Sequence, residues 1–342
     1  MTSWCKAALA ALMLTLGLAA AGLPAWAAET MPAGATVESL PLNSSANADV
    51  WRAVRQGVQG TSSLPNPRTG VLMQAEGERW RLLRNGPVAT YGSWALAGIL
   101  GVLVLFFLFR GRIRLDAPAT GRTVQRFNAL ERGAHWLTAG SFIVLALSGL
   151  NVLYGRYALL PLIGPEAFAA LTGWGKLAHN FLGFAFMLGV LTIFLLWVRD
   201  NIPDSGDVAW IAKAGGLFSR NVHPEARKFN AGQKLIFWST VGGGAVLGFT
   251  GLQLLFPFSF GGTQDMQLFQ IIHAVTALAM VVVIIGHIYI GSVGMEGAFD
   301  AMGSGQVEEE WAREHHALWL AEVKGEAPRA HPRDGARARS WR

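Results

Sequence analysis

Cysteine is almost missing from this chain: the one thiol in 342 residues is Cys5. Its absence downstream excludes thiolate-held iron–sulfur clusters, covalent C-x-x-C-H haem attachment and disulfide staples there. Charge is scarce too. Asp, Glu, Lys and Arg make up 15% of the sequence, well below the roughly 25% of an ordinary soluble domain. Apolar residues reach 52%, and they fall in long uncharged runs, which points to a polytopic membrane protein. The formal charge of +6 sits in a few links, so it speaks of membrane orientation and not of nucleic acid.

The first residues, "MTSWCKAALAALMLTLGLAAAGLPAWAAET", carry Lys6, an apolar stretch over 7–23 and Ala25-Trp26-Ala27. That is the pattern of a signal peptide, 1–27, with small residues where a peptidase cuts. An uncleaved first membrane helix is the alternative, and either way the next segment emerges outside. Residues 28–90 read as a polar periplasmic extension, in which "GVLMQAEGERWRLLRNG" suggests a hairpin turning at Glu76-Gly77.

Five apolar segments of bilayer length follow, at 91–109, 135–154, 177–198, 235–255 and 268–291. The link after the first holds Arg110, Arg112, Arg114, Arg122, Arg126 and Arg132. The link after the third holds Arg199, Lys213, Arg220, Arg227, Lys228 and Lys234. The link "FPFSFGGTQDMQ" has no basic residue. The positive-inside rule then places the mature N-terminus in the periplasm and the C-terminus in the cytoplasm of a bacterial inner membrane. The expected fold is an all-α membrane protein with five transmembrane helices after signal-peptide removal. The first, 91–110, stands outside a four-helix core at 121–294. The tail, 295–342, is amphipathic and helical over "GQVEEEWAREHHALWLAEV" and disordered after it.

Histidine is where the spans depart from an inert anchor. His273 and His287 are fourteen residues apart in the last span. At about 1.5 Å per residue that is roughly 21 Å along the axis, and fourteen steps fall roughly 40° short of four turns. Both rings leave one face, one near each membrane surface. His135 in the second span lies at the depth of His287, and His179 in the third at the depth of His273. Paired neutral imidazoles at two depths suit the axial positions of two noncovalent haems, and a helix-bundle core is a natural place to hold them. Proton relays or interhelical hydrogen bonds are the alternative for membrane histidines. Gly149, fourteen residues beyond His135, and Gly183, one turn from His179, would open space beside a flat ring. Gly244 and Gly248 read either as clearance or as a small-xxx-small packing motif.

"ERGAHWLTAGSFIVLALSGL", "LAHNFLGF", "FNAGQKLIFWS", the fourteen-residue histidine pair and "EEEWAREHHALWL" occur in an order that resembles the gamma subunit, a di-haem cytochrome b, of membrane-bound formate dehydrogenases. The resemblance spans about 121–323. It implies two haem b groups, the outer on His179 and His273 and the inner on His135 and His287. It also implies a quinone pocket near His287 formed by Asn230, Gly232 and Gln233, taking menaquinone or ubiquinone. The implied partners are a molybdenum- or tungsten-containing alpha subunit and an iron–sulfur beta subunit, with electrons passing to quinone and formate chemistry lying elsewhere. A cytochrome b subunit of a hydrogenase or of another periplasmic molybdoenzyme is the near alternative. A haem-free anchor or proton-coupled transporter is the alternative of another class. Arg126, Arg132 and Lys234 read as loop anchors or as partners of inner-haem propionates. His315 and His316 read as a subunit contact or a solvated face.

Overall fold

A computed structural model of the chain describes residues 76–326 except 220 and 221, together with residues 56, 60–61 and 71–73. The signal peptide, most of the extension and the last sixteen residues, His331 included, lie outside the described residues. The chain divides into two compact units, Met1–Glu78 and Arg79–Arg342. In the first, β1 (Gly60–Thr61) pairs antiparallel with β2 (Val71–Met73).

The second unit is helical, and five helices are long and apolar enough to cross a membrane: Gly77–Arg110, Ala129–Ala158, Leu160–Trp197, Ala231–Leu255 and Thr263–Gly294. Their outward residues are apolar, from Phe109 and Leu108 on the first span to Leu195 on the third. That is the composition of a lipid-facing surface, since lipid tails are as apolar as leucine. The all-α membrane architecture expected above is the one observed.

Its boundaries differ from the expected ones at every span, the last running from Thr263 to Gly294, and in the tail. The hairpin expected at Glu76-Gly77 is instead a helix, Glu76–Leu83, which runs through a π-turn at Arg84–Val88 into Ala89–Arg110. Glu, Arg and Leu are good helix formers, and the π-turn accommodates Pro87, which has no N–H to give the ladder. The first span therefore starts well before residue 91. The third starts at Leu160, but Gly164 breaks it at φ 78° just before Pro165, a conformation that glycine adopts without strain.

The second and fourth spans begin earlier than their apolar runs because each has a capping box. Asn128 and Glu131 satisfy each other's backbone N–H groups at the start of Ala129–Ala158. Asn230 and Gln233 do the same at Ala231–Leu255. "FNALE" and "FNAGQ" are thus one start signal used twice. His135 in consequence lies well inside its helix.

The tail differs as well. It is not one exposed helix but a strand, β4 (Gln306–Glu308), and two short helices, Glu309–His315 and Ala317–Lys324. β4 pairs antiparallel with β3 (Thr123–Gln125), just ahead of the second span. Between the two helices His316 is only 1% exposed. Its Nδ1 lies 2.7 Å from Arg227 O, and its Nε2 lies 3.0 Å from Arg126 Nη2. Arg126, 4% exposed, also sits 5.0–5.4 Å from the rings of Phe127, Trp311 and Trp319. These contacts overturn the solvated reading of His316 and show Arg126 engaged inside the protein. Lys234 is likewise buried, held by Asp204 at 3.0 Å and Asp207 at 2.9 Å.

Burial has an electrostatic consequence at this end. It pulls the Arg126 guanidinium down to about 9, against the opposing pull of Glu131. Burial also lowers His315 to about 4 and His316 well below its ordinary value. Both histidines are therefore neutral in the fold, while in the unfolded chain they take up protons near pH 6.5. Their contribution to stability is complete above about pH 6.5 and is lost as pH falls from there toward about 4. Thermal denaturation in detergent between pH 7.5 and 5 should show a falling midpoint, and His316→Gln should flatten that slope.

Candidate functional site

Two cores stack along the bundle. One joins the tail end: Phe127, Trp197, Phe229, Phe237, Trp311 and Trp319. The other lies mid-bundle, where Phe142, Phe186, Val190, Leu247, Met280 and Val281 pack together. Met280 lies halfway between His273 and His287 in sequence, and Phe142 halfway between His135 and Gly149. A tight apolar layer thus separates two depths, and at each depth two histidines meet.

His135 and His287 have ring centroids 6.3 Å apart, and His179 and His273 have centroids 6.2 Å apart. A direct N–H···N bond of about 3 Å, plus the radius of each ring, would bring the centroids to roughly 5 Å. Two metal–imidazole bonds of about 2 Å each place them at roughly 6 Å. Both separations match an ion held between the rings and exceed what a hydrogen bond would give. The donor chemistry agrees, because neutral imidazoles are common metal ligands.

The His179/His273 level also has room for a flat group. An apolar cleft of about 690 Å³, partly open to the surface, is lined there by both histidines, Phe142, Gly183, Gly248 and Gly251 among others. Around a β-carbon placed on Gly183 there is nothing within 4 Å, whereas one on Gly251 would lie 3.4 Å from His273 Cε1. Gly149 faces the ring of His179, as its spacing predicts. Gly244 is packing: a β-carbon there would press on Val190, 3.0 Å away, and touch Phe186. Gly248 serves both purposes, since it lines the cleft and abuts Met187.

Sequence reasoning missed two residues at this level. Ser148 Oγ lies 2.8 Å from His179 Nδ1, and Thr250 Oγ1 lies 2.9 Å from His273 Nδ1. All four core helices therefore converge on this one depth. The only sequence signal was a hydroxyl in each apolar run.

The residues expected near quinone occupy a different place. Asn230 and Gln233 cap the fourth span through their amide oxygens. Gly232 accommodates Trp210, whose ring would collide with a β-carbon. A smaller cavity of about 270 Å³ opens at Asn230, lined also by Asp204, Trp210, Arg227 and Leu318. His287 is not among its lining residues. Arg132 is half-buried and reaches Gly303 O at 3.3 Å. His223 lies 2.9 Å from Asp116.

Comparison with known proteins adds the following. The family described as prokaryotic cytochrome b561 matches residues 126–305. The chain is 29% identical over 208 residues to the nitrate-inducible formate dehydrogenase cytochrome b556(Fdn) subunit of Escherichia coli (strain K12), covering 59% of this chain and 93% of that protein. It is 28% identical over 206 residues to the formate dehydrogenase cytochrome b556(fdo) subunit of the same strain, covering 59% and 94%. It is 24% identical over 196 residues to the formate dehydrogenase cytochrome b556 subunit of Haemophilus influenzae, covering 56% and 79%.

Proposed function

The chain belongs to the prokaryotic cytochrome b561 family, whose members carry haem b, and from that membership we propose that it is the membrane cytochrome b subunit of a formate dehydrogenase. It anchors a formate-oxidising subunit and an iron–sulfur subunit on the outer face of the bacterial inner membrane and passes their electrons inward to quinone. The observation that carries this reading is the pairing of four histidines at two depths, each pair at the separation an ion requires. The related E. coli and H. influenzae proteins, all formate dehydrogenase subunits by name, favour this donor over a hydrogenase.

Haem b, when bound, supplies a reversible one-electron carrier at each level. The residues of the chain do the rest. His179 and His273 present nitrogen lone pairs at the outer level, and His135 and His287 do so at the inner level. Phe142, Phe186 and Met280 fill the space between and exclude water. The arginine-rich loops and the tail lie on the cytoplasmic side, the N-terminal extension on the periplasmic side. Moving each electron inward against the membrane potential costs about 2.3 kcal/mol per 100 mV, so the reaction stores energy.

Quinone, as substrate, is taken at the cytoplasmic end near "FNAGQ". Capping occupies the amide oxygens of Asn230 and Gln233, and it leaves their NH₂ groups as donors toward a quinone oxygen. Asn230→Asp isolates that role, because aspartate caps a helix as well as asparagine but has no NH₂. With one hydrogen bond worth about 0.5–1.5 kcal/mol, the variant should raise the KM for quinone several-fold with unchanged haem content. An unchanged KM would remove Asn230 from the pocket.

The reading as a whole is tested by a reduced-minus-oxidised optical spectrum of the purified chain, with identification of the proteins that co-purify. Two b-type haems per chain and a molybdenum- or tungsten-containing partner are expected. A protein without b bands would be a haem-free anchor or transporter instead.

A further inference from the structure

The imidazoles of His179 and His273 are each met by a hydroxyl from a neighbouring helix, Ser148 and Thr250 respectively. Both hydroxyls already have a place for their own proton. Ser148 Oγ donates to Val144 O at 2.7 Å, and Thr250 Oγ1 donates to Val246 O at 2.7 Å. An oxygen whose hydrogen is so engaged is left to accept. Nδ1 of each histidine therefore carries the ring proton, and Nε2 keeps the lone pair. Ser148 is 8% exposed and Thr250 only 2%, so solvent does not substitute for these bonds. At the other level, among the described residues, no hydroxyl is bonded to His135 or His287, and His135 Nδ1 is buried without a partner.

We infer that Ser148 and Thr250 are positioning residues which fix the His179/His273 pair as Nδ1–H tautomers and make its haem the more reluctant of the two to accept an electron. The inference rests on the haem reading given above. A hydrogen bond from Nδ1–H orients the ring and raises the basicity of the ligating nitrogen. A more basic ligand favours oxidised iron, and hydrogen bonding around the ligands is one of the levers that set a haem's potential. Lowering the potential at the outer level gives an electron a downhill step toward the inner one, the direction that the function requires.

Ser and Thr commonly bond the carbonyl four residues earlier in a helix, which accounts for the Val144 and Val246 contacts. It does not account for the remaining lone pairs meeting two histidines on two other helices. The symmetry argues for a role: the second span serves the third, and the fourth serves the fifth, at one depth only.

The test is an optical redox titration of the full chain with its haems, together with low-spin EPR of the oxidised protein. Thr250→Val removes the hydroxyl and keeps the branched shape, and Ser148→Ala removes the other. Each should raise one midpoint, shifting that haem's oxidised-to-reduced equilibrium about tenfold, or about 59 mV for one electron. The g-values of that haem should move while the second midpoint stays. Thr250→Ser and Ser148→Thr should restore wild-type values. Loss of one haem from Thr250→Val with its retention in Thr250→Ser would support the same assignment. Unchanged midpoints and g-values in a double variant that binds both haems would overturn the inference and leave the functional reading standing. Wild-type protein without b bands would overturn both.

Discussion

Replacing His273 with alanine is expected to halve the haem content, removing the outer b-type signal and sparing the inner one. His273 and His179 face each other at 6.2 Å, and among the described residues no other histidine is close enough to replace either. The surviving pair, His135 and His287, lies fourteen helical steps away along the last span, roughly 21 Å at about 1.5 Å per residue. Phe142, Phe186 and Met280 pack between the levels, so loss at one should not propagate to the other. His287→Ala should give the reciprocal spectrum. Both signals persisting in His273→Ala would mean that the pairing assigned here is wrong.

Glu131→Ala should be the most damaging substitution away from the histidines. Its carboxylate accepts from Trp197 Nε1 at 2.9 Å, Lys228 Nζ at 2.7 Å and the Asn128 backbone N–H at 2.9 Å. It also supplies the opposing charge that offsets the burial of Arg126. Truncation would leave a buried guanidinium without that charge, an indole N–H without an acceptor and a helix without half of its capping box. Breaking a fully buried ion pair by removing one partner costs about 3–5 kcal/mol, and the partly exposed Lys228 partner puts the loss here at or below the lower end of that range. Thermal denaturation in detergent should therefore show a large fall for Glu131→Ala. Glu131→Gln keeps the acceptor oxygen and the volume, so its loss should be smaller. A wild-type midpoint in the alanine variant would show that the carboxylate is dispensable.

Much of this arrangement was legible in the sequence, and the reasons differ by residue. The histidine pairs were legible because helical geometry is stiff: a fourteen-residue spacing fixes both face and depth before any contact is known. The five spans were legible from composition, but their ends were not. Asn128 and Asn230 start helices several residues before the apolar runs begin, through reciprocal bonds that apolar counting does not register. The break at His316 was illegible for a different reason. Local pattern favours one amphipathic helix there, and burial against Arg126 and Arg227 overrides it. Ser148 and Thr250 were hidden because a hydroxyl in an apolar helix is usually satisfied by its own backbone. Only the neighbouring helix shows what the second lone pair does. Arg126 and Lys234 were counted as loop charges, which is all that a one-dimensional reading can make of an ion whose partners come from distant segments.

The pairing of β3 with β4 ties residues 123–125 to residues 306–308, and His316 binds Arg126 and Arg227 in turn. These ties impose an order on biosynthesis. All five spans leave the ribosome before Gln306 does, so the loops ahead of the second and fourth spans cannot close during insertion. The bundle is born uncapped, and that end stays open until residues 306–316 have been made.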